Sequence, residues 1–178
     1  MNLTDDDFTL MGLPRRFGID QQALDQRWHQ MQLHTHPDRF AGQGAAAQRI
    51  AMQWSMRINE AYRRLQHPIQ RAAYLCKLHG VDIEAQDNTQ MPREFLMQQM
   101  AWREALDEAH EPAALQALHQ TVESAARDIH AQVEELLDMN SDFTKAAQQV
   151  RAWMFIDKFL QDLNQRHTAL TAHQTRFS

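Results

Sequence analysis

Cysteine is almost missing from this chain: Cys76 is the only one in 178 residues. One thiol cannot close an internal disulfide, and it excludes any multi-cysteine zinc or cluster site. Cys76 lies in an apolar helical pattern, where burial is expected rather than reactivity. Glycine and proline are scarce, five of each, so they mark boundaries rather than fill loops. No apolar run approaches the length of a membrane span. The start, Met1 to Asp7, is acidic and lacks the cationic and apolar regions of a signal peptide. These absences lead us to expect a cytoplasmic protein. No basic stripe with interleaved aromatics occurs, which disfavours nucleic-acid binding. No Gly-rich phosphate loop, nucleophile elbow or metal motif occurs either, so no enzyme is expected. A His36–Asp38 acid/base pair would need a cleft and a nucleophile, and the sequence offers neither.

Ala, Leu, Gln, Met, Glu and Arg dominate what is present, which predicts an all-α protein. Charge is uneven: residues 1–80 hold ten basic and seven acidic side chains, residues 81–178 eight and sixteen. Halves of opposite sign suggest two modules with different partners.

Asp5-Asp6-Asp7 reads as a solvated start to a short helix that Gly12 and Pro14 stop. Asp20 is a good N-cap for the next helix, where Leu24, Trp28 and Met31 recur at helical spacing. Pro37 ends it. Gly42-Gln43-Gly44 closes the loop. A third helix places Ile50, Trp54, Ile58, Ala61, Tyr62 and Leu65 on one face. The two long helices then form an antiparallel hairpin with His36-Pro37-Asp38 at its tip. That stiff loop presents an imidazole and a carboxylate, which suits a cationic partner. His34 and His36 are one residue apart, but nothing supplies a third ligand, so no metal site and no cofactor is expected.

Pro68 restarts the helix, which runs to Gly80. The polar stretch from Val81 is read as a linker over 81–91. Pro92 opens a further helical pattern, and Glu111-Pro112 breaks it and begins another. There Leu115, Leu118, Val122, Ala125, Ile129, Val133 and Leu136 alternate in steps of three and four. Asn140-Ser141-Asp142 is a turn with an N-cap, and a last helix runs from Phe143 towards Leu170. Three long helices with short connections predict an antiparallel bundle. The tail from Thr171 lacks a pattern and is expected to fray. The four tryptophans, Trp28, Trp54, Trp102 and Trp153, are expected in the core.

Some apolar residues fall off the core stripes. At about 100° per residue, Phe95, Gln99, Trp102 and Leu106 cluster, whereas Leu96, Met97 and Met100 lie about 80–180° away. In the last helix Ala146, Val150, Trp153 and Leu160 share one face, Phe155 points nearly opposite, and Phe159 lies close to Phe155. A contiguous exposed apolar patch marks a binding site, and methionine adapts to varied partner surfaces. The alternative is that another element covers these residues.

The order of short helix, helix, His36-Pro37-Asp38-Arg39-Phe40 and helix resembles a J domain. Residues Pro68 to Gly80 resemble the segment closing the J domain in the HscB family of iron–sulfur co-chaperones. Phe95-Leu96-Met97, Arg103-Glu104, Leu106-Asp107-Glu108 and Phe155-Ile156-Asp157-Lys158 also match that family. The resemblance implies an N-terminal J domain over 1–80 and a C-terminal scaffold-binding bundle over 92–178. It implies a co-chaperone that delivers an IscU-type scaffold to a DnaK-like, HscA-type chaperone and stimulates its ATPase. His36, Pro37, Asp38, Arg39 and Arg27 would then meet the chaperone. Leu96, Met97, Met100, Glu104 and Phe155 would meet the scaffold. Thr35 and Arg39 stand where the family often has Tyr and Lys. A general J protein serving DnaK is the alternative, and the lack of a Gly/Phe-rich linker argues against it.

Overall fold

The computed structural model describes residues 2–83 and 91–176, with side chains up to residue 172. Contacts divide the chain into two units, Met1–Leu78 and His79–Ser178. Of the expected linker, residues 84–90 lie outside the described residues. The described elements are α, 3-10 and π helices, and no strand occurs among the described residues. No described helix is long and apolar enough to cross a membrane.

The first unit holds α1 (Asp7–Met11), α2 (Gln21–Thr35), α3 (Ala45–Gln66) and α4 (Pro68–Leu78). The Asp6 side chain caps α1 by accepting from the Thr9 amide, and Gly12 ends it at φ 66°, a conformation open to glycine. The Asp20 side chain caps α2 by accepting from the Ala23 amide at 3.1 Å. Cross-links between α2 and α3 fix an antiparallel hairpin. The Tyr62 hydroxyl donates to Asp25, the Trp28 indole to Asn59, and the Ser55 hydroxyl to Gln32. As the position rises on one helix it falls on the other.

The α3 stripe differs from expectation at its start. Ala51, Ile58, Ala61 and Leu65 are buried, whereas Ile50 is 56% exposed. Counting back from Ile58, seven residues make almost two whole turns and reach Ala51; eight overshoot by about 80°. Trp28 and Trp54 are only half-buried, so two of the four expected core tryptophans sit at the margin. Cys76 is buried, as its apolar setting implied.

The expectation of a solvated acidic start fails at Asp7, which is 0% exposed. Its carboxylate lies 2.7 Å from both the Arg57 and the Arg64 guanidinium groups of α3. Its amide donates to the Tyr74 hydroxyl of α4 at 3.1 Å. A buried carboxylate needs such cations to offset its lost hydration. Burial also pushes the Tyr74 phenol above its ordinary pKa.

The second unit holds α5 (Arg93–Glu108), α6 (Pro112–Glu134) and α7 (Phe143–Arg176). Pro112 sits in the first turn of α6, where its missing N–H costs nothing. A π turn, Glu135–Met139, extends α6. It buries Leu137 and leaves the expected Leu136 half-buried. Asp142 accepts from the Lys145 amide at 3.1 Å at the start of α7. That helix continues past Leu170 to Arg176, so residues expected to fray are helical. Phe159 is buried rather than off the core, and Leu160 is half-buried. The cause is that α7 packs against both neighbours and buries more than one stripe: Phe159 stacks on Trp102 of α5 at 5.9 Å, while Ala146, Val150 and Trp153 are buried as expected.

Candidate functional site

The loop at the hairpin tip is built by proline chemistry. Thr35 ends α2, and Pro37–Phe40 forms a single 3-10 turn with Pro37 in its first position. His36 serves both elements. Its amide donates to Gln32 to cap α2, and its Nδ1 accepts from the Asp38 amide at 3.3 Å. Nδ1 acting as acceptor puts the neutral ring's proton on Nε2, which remains a donor. The Asp38 carboxylate lies 3.5 Å from His36 Nδ1, and its side chain is 89% exposed. The Arg39 guanidinium turns back to donate to the Leu33 carbonyl, one of the last of α2. Arg39 thus stiffens the loop from beneath, a role that charge alone did not suggest.

Arg27 stands nine residues before His36, about 13 Å back along the helix. It is half-buried, its Nε buried and facing Gly12 at the end of α1. The structure brings His36, Pro37, Asp38 and Arg39 together and leaves Arg27 apart from them.

The second candidate site lies on α5 and α7. Leu96, Met97 and Met100 are exposed, as is Glu104. Phe155 is half-buried. It meets Phe95 edge-to-face at 5.9 Å and stacks on Phe159 at 6.3 Å, and the Arg103 guanidinium covers it at 5.7 Å. Phe155 is therefore held in a fixed orientation beside the α5 residues. Next to it runs a groove lined by Arg103, Leu106, Asp107, Phe155, Lys158 and Asp162.

Residue spacing singled out the apolar members but not Arg103, whose partner sits on another helix. It also missed Met154, an exposed methionine on α7. The signal for Arg103 was its place three residues beyond Met100 on the same helix face.

Residues 91–164 match the family described as the HSCB C-terminal oligomerisation domain. A co-chaperone protein HscB homolog of Bordetella avium is 49% identical over 160 residues, covering 89% of this chain and 95% of its own. The solved structure of chaperone HscB from Vibrio cholerae superposes with a TM-score of 0.82 at 32% identity, over 93% of this chain and 99% of that one. The human co-chaperone protein HscB superposes with a TM-score of 0.88 at 28% identity, over 93% of this chain and 84% of that one. The chain belongs to the HscB family of co-chaperones.

Proposed function

We propose that this co-chaperone is a two-handed adaptor in iron–sulfur cluster assembly, acting in the cytoplasm. One hand is a J domain over residues 1–80, which engages an HscA-type, DnaK-like chaperone through His36, Pro37, Asp38 and Arg39, with Arg27 adding charge on α2, the helix that precedes the loop. The other is the bundle over residues 92–178, joined by a linker over 81–91. It carries an IscU-type scaffold on Leu96, Met97, Met100, Glu104 and Phe155. The chain catalyses nothing itself.

The observation that carries the first hand is the Asp38 carboxylate, 89% exposed on a turn fixed by proline. A chaperone arginine can pair with it directionally. Because Pro37 and the His36 hydrogen bond already restrict the loop, docking loses little conformational entropy. Tighter binding to the hydrolysis-competent state of the chaperone raises the population of that state. Holding the scaffold on the same chain raises its effective concentration at the chaperone.

The test is steady-state ATP hydrolysis by the HscA-type chaperone with this protein, with scaffold, and with both. Stimulation by this protein that rises further with scaffold is expected. Stimulation indifferent to the scaffold would return the chain to a general J-protein role with DnaK.

A further inference from the structure

Two exposed thioethers occupy the centre of the apolar face on α5. Met97 is 62% and Met100 71% exposed, whereas Met11 and Met31 in the first unit are 1% and 5% exposed. Met97 and Met100 are three residues apart and project from neighbouring positions of one helix. Leu96 flanks them and is also exposed. Reactivity toward peroxide follows solvent access, because the sulfur lone pair must reach the oxidant.

We propose that Met97 and Met100 form an oxidation switch that releases the partner carried on this face. The proposal rests on the scaffold-binding reading given above. The oxidant is hydrogen peroxide. A thioether sulfur lone pair attacks one peroxide oxygen and forms the S–O bond as the O–O bond breaks. The departing hydroxide takes up the other proton and leaves as water. Sulfur loses two electrons and the peroxide gains them.

The product keeps the shape of methionine but carries a strongly polar S–O group. In the free protein that group is hydrated, so the helix keeps its fold. In a complex it must be desolvated against an apolar partner surface. A buried polar group without a hydrogen bond is costly enough to lower affinity about tenfold or more. Oxidation therefore weakens docking without unfolding the bundle. The bound partner covers the same sulfurs, so a preformed complex resists the reaction. Sulfoxides are reducible enzymatically, one reductase for each sulfoxide epimer, so the change is reversible.

The experiment treats the full chain alone with hydrogen peroxide, removes the peroxide with catalase, and titrates the product with untreated IscU-type scaffold. Peptide mass mapping assigns the sulfoxides, and circular dichroism checks the helices. The Met97→Leu/Met100→Leu double variant is carried in parallel. It keeps an apolar face and all the other methionines, including exposed Met52, Met56, Met139 and Met154.

The expected result is oxidation at the exposed methionines, Met97 and Met100 among them, unchanged helicity, at least about a tenfold loss of affinity in the wild type relative to its own untreated form, and no change in the treated double variant relative to its own untreated form. Treatment with both classes of methionine sulfoxide reductase should restore binding. Undiminished affinity in the oxidised wild type overturns the switch, and so does an equal loss in the double variant. Failure of the untreated wild type to bind scaffold is a different outcome, and it removes the docking surface together with its switch.

Discussion

In the first unit, helices are tied by polar groups that reach across the packing. Asp7 binds Arg57 and Arg64, Trp28 donates to Asn59, and Arg71 donates to the Leu65 carbonyl. In the second unit aromatic contacts tie α5 to α7, as in the Trp102–Phe159 and Phe95–Phe155 contacts. The exposed sites follow the same division. The loop offers a carboxylate and an imidazole on a backbone held by hydrogen bonds, while α5 offers unbranched and branched apolar side chains on a regular helix. Directional groups recognise one counterpart at fixed geometry, and flexible thioethers conform to a broader surface. The two sites should therefore fail independently and by different amounts.

The largest effect is expected at the loop. Asp38→Asn keeps the volume and removes the charge, so stimulation of the chaperone ATPase should fall to the unstimulated rate. Scaffold affinity, measured by calorimetry, should stay within about twofold, since the mutation leaves the bundle untouched. Retained stimulation would break the assignment of the loop. The reverse separation should come from Leu96→Ala, Met97→Ala and Phe155→Ala combined. Interface anchors cost about 2 kcal/mol or more each, though not additively. A loss of scaffold affinity of at least about a hundredfold is expected, with scaffold-independent stimulation preserved. An unchanged affinity would place the docking surface elsewhere.

What the sequence made legible was local. Asp6, Asp20, Pro68, Pro112 and Asp142 each mark a helix start through chemistry within a few residues of themselves. His36-Pro37-Asp38 was readable as an exposed tip for the same reason. The exposure of Leu96, Met97 and Met100 was readable because α5 buries one narrow stripe. Long-range facts were not. Nothing adjacent to Asp7 tells that an arginine 57 residues away will bury it. Phe159 was misplaced because its burial depends on α5 packing against a helix whose own period shows only one clear face. Arg27 looked like a surface cation, but Gly12 at the end of α1 packs beside its Nε.

The third prediction strikes the polar ties directly. Asp7→Asn leaves Arg57 and Arg64 without their shared counter-charge in a buried setting. Removing one partner of such a group costs about 3 kcal/mol, here read on the first unit. Hydrogen exchange on the full chain should show lost protection across α1, α3 and α4 and unchanged protection in α6 and α7. Equal loss in both units would mean that they unfold as one cooperative body, with no separate polar cohesion in the first.

The smallest effect is expected at Asp6, whose side chain is 9% exposed but whose partner Arg15 is 56% exposed. Burial alone would raise its carboxyl, but hydrogen bonds from Arg15 and Thr9 outweigh that and hold it below the ordinary value of 3.8. The Arg15 contact is 2.6 Å, and Arg15 itself is largely exposed. A carboxyl whose folded pKa is depressed adds stability that is fully present above the unfolded value. That stability is lost as pH falls from there through the lower folded value. Wild type should therefore exceed Asp6→Asn in urea midpoint near neutrality, and the gap should close as pH drops below 3.8. Salt should narrow it at neutral pH, because exposed charges are screened. A gap independent of both pH and salt would mean that Asp6 works only as a neutral cap for α1. The charged tie to Arg15 would then add nothing, and the polar cohesion of the first unit would reside in its buried groups.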